Sequence, residues 1–110
     1  MIKILLFILL SSVGTITFKW FPADRAETYN LQVATDKDFS DIVINRPELS
    51  DTFYVAELEP GKYYWRVNAS NWCCVSDWSE VWSFTLLESM HLNLSPGWIP
   101  INKKPKEIME

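Results

Sequence analysis

Histidine occurs once in this chain, at His91, and the only two cysteines are neighbours, Cys73 and Cys74. Most catalytic constellations bring an acid, a base and a nucleophile together, and no such cluster is visible in the sequence. An enzyme is therefore not expected, and no cofactor or metal is implied. Positive charge is also short: 10 Lys and Arg stand against 14 Asp and Glu, for a net charge of -4 and a pI near 4.9. Nucleic acid needs a basic stripe to displace its counterions, so it is excluded as a partner, as is an anionic membrane surface. The longest apolar run, Ile4 to Leu10, falls far below the ~20 residues a spanning helix needs. What remains is a chain of 110 residues with 48% hydrophobic and 22% charged residues, enough for one core and one domain. Aromatics reach 15%, six of them Trp, against three glycines. That stock favours strands packed face to face.

The pattern along the chain agrees. Residues 1–14 begin with Lys3, run apolar and end in small residues, which is the outline of a secretory signal; the same residues could equally supply a first strand. From Thr15 onward the alternation has period two. Ile16, Phe18 and Trp20 share a face; Tyr29, Leu31 and Val33 share another. A short β-branched run, Ile42 to Ile44, is expected to stop before Pro47, and Thr52 to Val55 to form the next strand. Tyr63, Trp65, Val67 and Ala69 follow the Pro60-Gly61 turn, and Val81 to Leu87 closes the series. Helical spacing with caps is absent apart from the ambiguous N-terminal run. Six or seven strands in about 75 residues meet the sequence criterion for an all-β, immunoglobulin-like β-sandwich. The expected inward set is Trp20, Tyr29, Leu31, Val33, Phe53, Val55, Leu58, Tyr63, Trp65, Val67 and Phe84.

Four stretches in order, TFKWFPA, YNLQVATDKDF, LEPGKYYWRVNA and SDWSEVWSFTL, cover residues 15–87 and resemble the fibronectin type III module of secreted bacterial proteins. The resemblance implies an extracellular, secreted or cell-surface domain that acts as a spacer or protein-interaction module beside other domains; fold alone fixes no function. It also implies a tyrosine closing a corner near Leu58 and Pro60-Gly61, for which inward parity favours Tyr63 over Tyr64. The stretch Trp78-Ser-Glu-Val-Trp82-Ser83 resembles the WSxWS signature of cytokine-receptor modules but carries one extra residue. Residues 88–110, with Pro96, Pro100 and Pro105, read as a linker or C-terminal tail, within which residues 92–98 resemble the opening of a further β module.

Candidate interaction residues are Arg66, Trp72, Cys73, Cys74 and Trp78. Arg66, outward on its strand, could stack on Trp78 or merely have its stem covered by it. Adjacent cysteines cannot staple the two sheets, since neighbouring Cα atoms are closer than an ordinary disulfide requires. Two free thiols in the loop from Asn71 to Asp77 are expected in preference to a vicinal disulfide, intermolecular bonds or a metal site. Asp36, Asp38 and Asp41 read as a turn, because the glycine and closing glutamate of a calcium loop are missing. Asn68 and Asn93 head glycosylation tripeptides, with Asn68 expected to face outward. The alternative function is carbohydrate binding, with exposed Trp72, Trp78 or Trp98 stacking on sugar faces.

Overall fold

An alternating segment becomes a stable strand when one of its faces can be buried against a second sheet. In the computed structural model, which describes residues 13–88 and 91–94, seven segments do so. They are β1 (Gly14–Lys19), β2 (Thr28–Ala34), β3 (Ile42–Leu49), β4 (Phe53–Leu58), β5 (Gly61–Ser70), β6 (Trp82–Leu86) and β7 (His91–Leu94). No helix occurs among the described residues. The strands form a three-stranded sheet in the order β4-β1-β7 and a four-stranded sheet in the order β3-β2-β5-β6. Together they make the immunoglobulin-like β-sandwich anticipated from the strand spacing.

Aromatic rings join the sheets. Phe18 of β1 meets Trp65 of β5 edge to face at 5.0 Å and Phe84 of β6 at 5.8 Å. Phe84 stacks in turn on Tyr63 at 5.5 Å, and Trp20 lies against Tyr29. Ile16, Leu31, Val33, Val67 and Leu86 fill the remaining space and are almost fully buried. Each such side chain contributes roughly 1.5–3 kcal/mol by leaving water, and each ring pair about 0.5–1.5 kcal/mol more. Two buried hydroxyls fasten loops to this core. Tyr29 accepts a bond from the Ala23 amide at 2.9 Å, and Tyr63 donates to the Glu59 carbonyl at 2.6 Å, forming the expected corner. Burial raises the pKa of both phenols above the ordinary value.

The structure departs from the sequence pattern on β4. Phe53 and Val55 are 49% and 51% exposed, so they belong to the outer face. The antiparallel register sets Gly14 opposite Leu58, Ile16 opposite Ala56 and Phe18 opposite Tyr54. Partners across a ladder share a face, so burial of Ile16 and Phe18 turns Tyr54, Ala56 and Leu58 inward despite the greater hydrophobicity of their neighbours. Tyr54 tolerates this place at the sandwich margin because its hydroxyl accepts a 2.7 Å bond from Arg46 Nε.

Pro47 likewise fails to end β3. This is an edge strand, and its register with β2 jumps from Tyr29–Leu49 to Leu31–Arg46. Pro47 and Glu48 bulge out of the ladder, with Glu48 at φ 59°, and the Glu48 amide donates instead to Asn30 Oδ1 at 2.9 Å. A further strand, β7, lies in the stretch read as a linker or tail; it runs parallel to β1 and packs Leu92 and Leu94 on the core. Of the signal-like segment only Val13 and Gly14 are described, and Gly14 already opens β1. Most of residues 88–110 likewise lies outside the described residues.

Face assignment on β1 and β4 is open to direct measurement. Phe18→Ala should lower unfolding free energy by about 3–5 kcal/mol in a denaturant titration, through lost packing and a residual cavity. Val55→Ala, on the same sheet but outward, should cost less than about 1 kcal/mol.

Candidate functional site

β5 is ten residues long and β6 only five, and their ladder runs from Gly61–Leu86 to Trp65–Trp82. Beyond Trp65, the β5 backbone facing away from β2 would be left without partners inside a buried strand. The three-residue repeat Ser76-Asp-Trp-Ser79 fills that gap. Ser76 donates its amide to the Ala69 carbonyl at 2.8 Å, and its Oγ accepts the Ala69 amide at 3.0 Å. Ser79 repeats the arrangement on Val67 at 2.8 and 3.0 Å. Each hydroxyl then donates to the next carbonyl, of Asp77 and Glu80 respectively, at 2.9 Å. Two buried serines thus do the work of two strand residues.

Between these clamps Trp78 lies over β5. The Arg66 guanidinium carbon sits 4.4 Å from the Trp78 ring centroid, so stacking occurs as one of the two alternatives anticipated. Phe39 meets the same guanidinium from the β2–β3 connection at 4.0 Å. Arg66 also donates from Nε and Nη2 to Gln32 Oε1 at 3.0 and 2.7 Å, which fixes the plane of its head. Partial burial lowers the Arg66 pKa from its ordinary value, but a guanidinium remains cationic. Stacks of this kind are worth roughly 0.5–1 kcal/mol exposed and about 2 kcal/mol when desolvated.

Phe39 is placed by Asp36. The Asp36 carboxylate accepts the Ser40 hydroxyl at 2.6 Å and the Ser40 and Asp41 amides at 3.0–3.2 Å. Thr35 closes the loop onto Asp41, from its hydroxyl to Oδ2 at 2.7 Å. The turn so made holds Phe39 at φ 57° and buries its ring. Asp36 is therefore the internal acceptor of a turn. Among the described residues no three His, Cys, Asp or Glu side chains group as metal ligands.

The loop from Asn71 to Asp77 leaves β5 by a tight turn. Ser70 and Val75 form an isolated antiparallel bridge, the Asn71 amide donates to the Cys74 carbonyl at 2.9 Å, and Asn71 Oδ1 accepts both cysteine amides at 3.1 Å. Trp72 stands at the tip, 77% exposed, and Val75 is 59% exposed. The expectation of free thiols is overturned, because Cys73 and Cys74 are joined in a vicinal disulfide across a Cα separation of 3.7 Å. A turn, unlike a strand, does not send successive side chains to opposite faces, so adjacent sulfurs can meet. Asn68 is also corrected. It is buried, its Oδ1 accepts from Asn30 at 2.8 Å and its Nδ2 donates to the Ser76 carbonyl at 3.3 Å, so both ends of the amide are occupied. Trp98 lies outside the described residues.

Arg66 and Trp78 therefore form one stacked unit, and Trp72, Cys73 and Cys74 a separate exposed tip. The loop over residues 20–27 and the residues before Phe53 cluster at the same end. Asn71 Nδ2 donates to the Arg25 carbonyl at 3.3 Å, and the Trp20 amide to the Thr52 carbonyl at 3.0 Å. Sequence reasoning missed Phe39, Ser76 and Ser79. The spacing of the two serines around Trp78 was the available signal; nothing local marks Phe39 as a partner of a residue on another strand.

Two outcomes test this arrangement. Ser79→Ala leaves the buried Val67 amide without its acceptor and should cost about 1–3 kcal/mol by chemical denaturation. Asp36 has a folded pKa below its ordinary 3.8, chiefly through the Ser40 hydroxyl bond and then the Asp41 amide. Its contribution is complete above that value and disappears as pH falls through the folded pKa. Acid titration followed by NMR of the Ser40 and Asp41 amides should show them released in that window, and Asp36→Asn should remove the step. The chain matches no protein-family model, and no curated protein is significantly similar to it.

Proposed function

We propose that this chain is a non-catalytic module of the fibronectin type III kind, part of a secreted or cell-surface protein, which presents the Asn71–Asp77 loop to a protein partner. The observation that carries the reading is Trp72, a large apolar side chain left 77% exposed at the tip of a turn clamped by Asn71 and closed by a vicinal disulfide. A tryptophan held on a short rigid turn offers contact area at small entropic cost on binding. The ordered resemblance over residues 15–87, the two-sheet architecture and the Tyr63 corner support the module assignment. Among the described residues no acid, base and nucleophile converge at this end, and turnover is not part of the proposal.

Carbohydrate binding is the alternative, with Trp72 as the stacking surface. A paired platform with Trp78 is disfavoured, since Trp78 already stacks on Arg66. A protein and glycan array probed with the wild type and Trp72→Ala separates the readings. Binding to protein features that falls about 30-fold on substitution supports the first. The same loss confined to glycans supports the second, while unchanged binding moves the site and turnover of any substrate ends the non-enzymatic assignment.

A further inference from the structure

The chain leaves β1 at Lys19 and passes Trp20 and Phe21, while the chain entering β4 passes Thr52 and Phe53; these five residues line a cleft of about 250 Å³. The Trp20 amide bond to the Thr52 carbonyl at 3.0 Å ties the two walls together. Two features of the cleft are unusual for a merely structural surface. Phe53 remains 49% exposed although it is not needed in the core, and Phe21 beside it is 40% exposed. Lys19, the register partner of Phe53, has no ion pair among the described residues. Behind the cleft Trp20 is 4% exposed and packs on Tyr29, and its indole N–H, closed off from solvent, is the one buried side-chain nitrogen or oxygen among the described residues with no hydrogen-bond partner. A buried donor without an acceptor is an unmet cost that natural cores avoid.

We infer that this cleft binds a small carboxylate carried on a ring. The phenyl rings supply flat apolar contact, and among the described residues of the lining the one charge is the positive Lys19 ammonium, so the complementary ligand is an anion with an apolar face. A cleft of this volume has room for one six-membered ring with its carboxylate. The Thr52 hydroxyl can donate to or accept from such a ligand at the rim. An aromatic acid and a sugar acid share this chemistry. The cleft lies at the same end of the sandwich as the Asn71–Asp77 loop but uses none of its residues, so this inference does not rest on the role given to Trp72.

The test is a titration of the ¹⁵N-labelled full chain with benzoate and with glucuronate, each compared with a neutral counterpart, benzyl alcohol and methyl glucoside. Saturable shifts confined to the amides of residues 19–21 and 52–53 and to one indole N–H are expected with at least one acid, and which acid identifies the source of the ring. Lys19→Ala and Phe53→Ala, both at exposed positions that leave the core intact, should each weaken the apparent Kd by about tenfold. Trp72→Ala should leave it unchanged. The inference is overturned if neither acid gives saturable shifts there, if the neutral compounds give equal ones, or if both cleft variants bind as the wild type does.

Discussion

A strand that outruns its neighbour leaves a row of amides and carbonyls that must find partners or remain in solvent. β5 meets that constraint over its second half, where Val67 and Ala69 are buried and β6 has already turned away. Ser76 and Ser79 supply both a donor and an acceptor to each. Much of one end of the molecule follows from this. The clamps set the path of the chain between β5 and β6, hold Trp78 over Arg66, and give Asn68 a carbonyl to bind. They also fix the base from which the turn at Asn71 projects.

Arg66 is where the two sides of the four-stranded sheet meet. Its guanidinium takes Phe39 from the β2 side, Trp78 from the β6 side and the Gln32 side chain directly alongside. A flexible cationic side chain held by two rings and by one oxygen that accepts two of its N–H groups becomes a rigid part of the sheet surface. That rigidity separates Arg66 and Trp78 from Trp72. The first pair is spent on internal stacking, while Trp72 stands clear of the sheet on its own turn.

The same end gathers features with different demands. The cleft at Lys19 and Phe53 and the tip at Trp72 arise where three connections cluster, beyond the reach of the ladders. Connections at a sandwich end can vary without disturbing the aromatic packing of Phe18, Trp65 and Phe84, because that packing is completed by the strands alone. Two chemically distinct surfaces can therefore coexist within one small fold.

Period-two alternation was enough to reveal β1 to β6, the all-β class and most of the core, since Ile16, Phe18, Leu31, Val33, Trp65 and Val67 each sit on the apolar side of a regular pattern, while β7 in the stretch read as a tail went unseen. The corner was expected from the resemblance to the fibronectin type III module, and parity within the strand chose Tyr63 over Tyr64 for it. Where sequence reasoning failed, the deciding partner was distant. Phe53 and Val55 look like core residues until the register with β1 assigns the inner face to Tyr54 and Ala56. Asn68 looks solvent-facing until Ser76 covers it, and Cys73 and Cys74 look like free thiols until a turn brings their sulfurs together. Pairing along a strand is written locally, in alternation and turn residues. Which face a strand buries, which edge a serine completes and which rings meet an arginine depend on contacts between segments far apart in the chain, and only tertiary packing decides those.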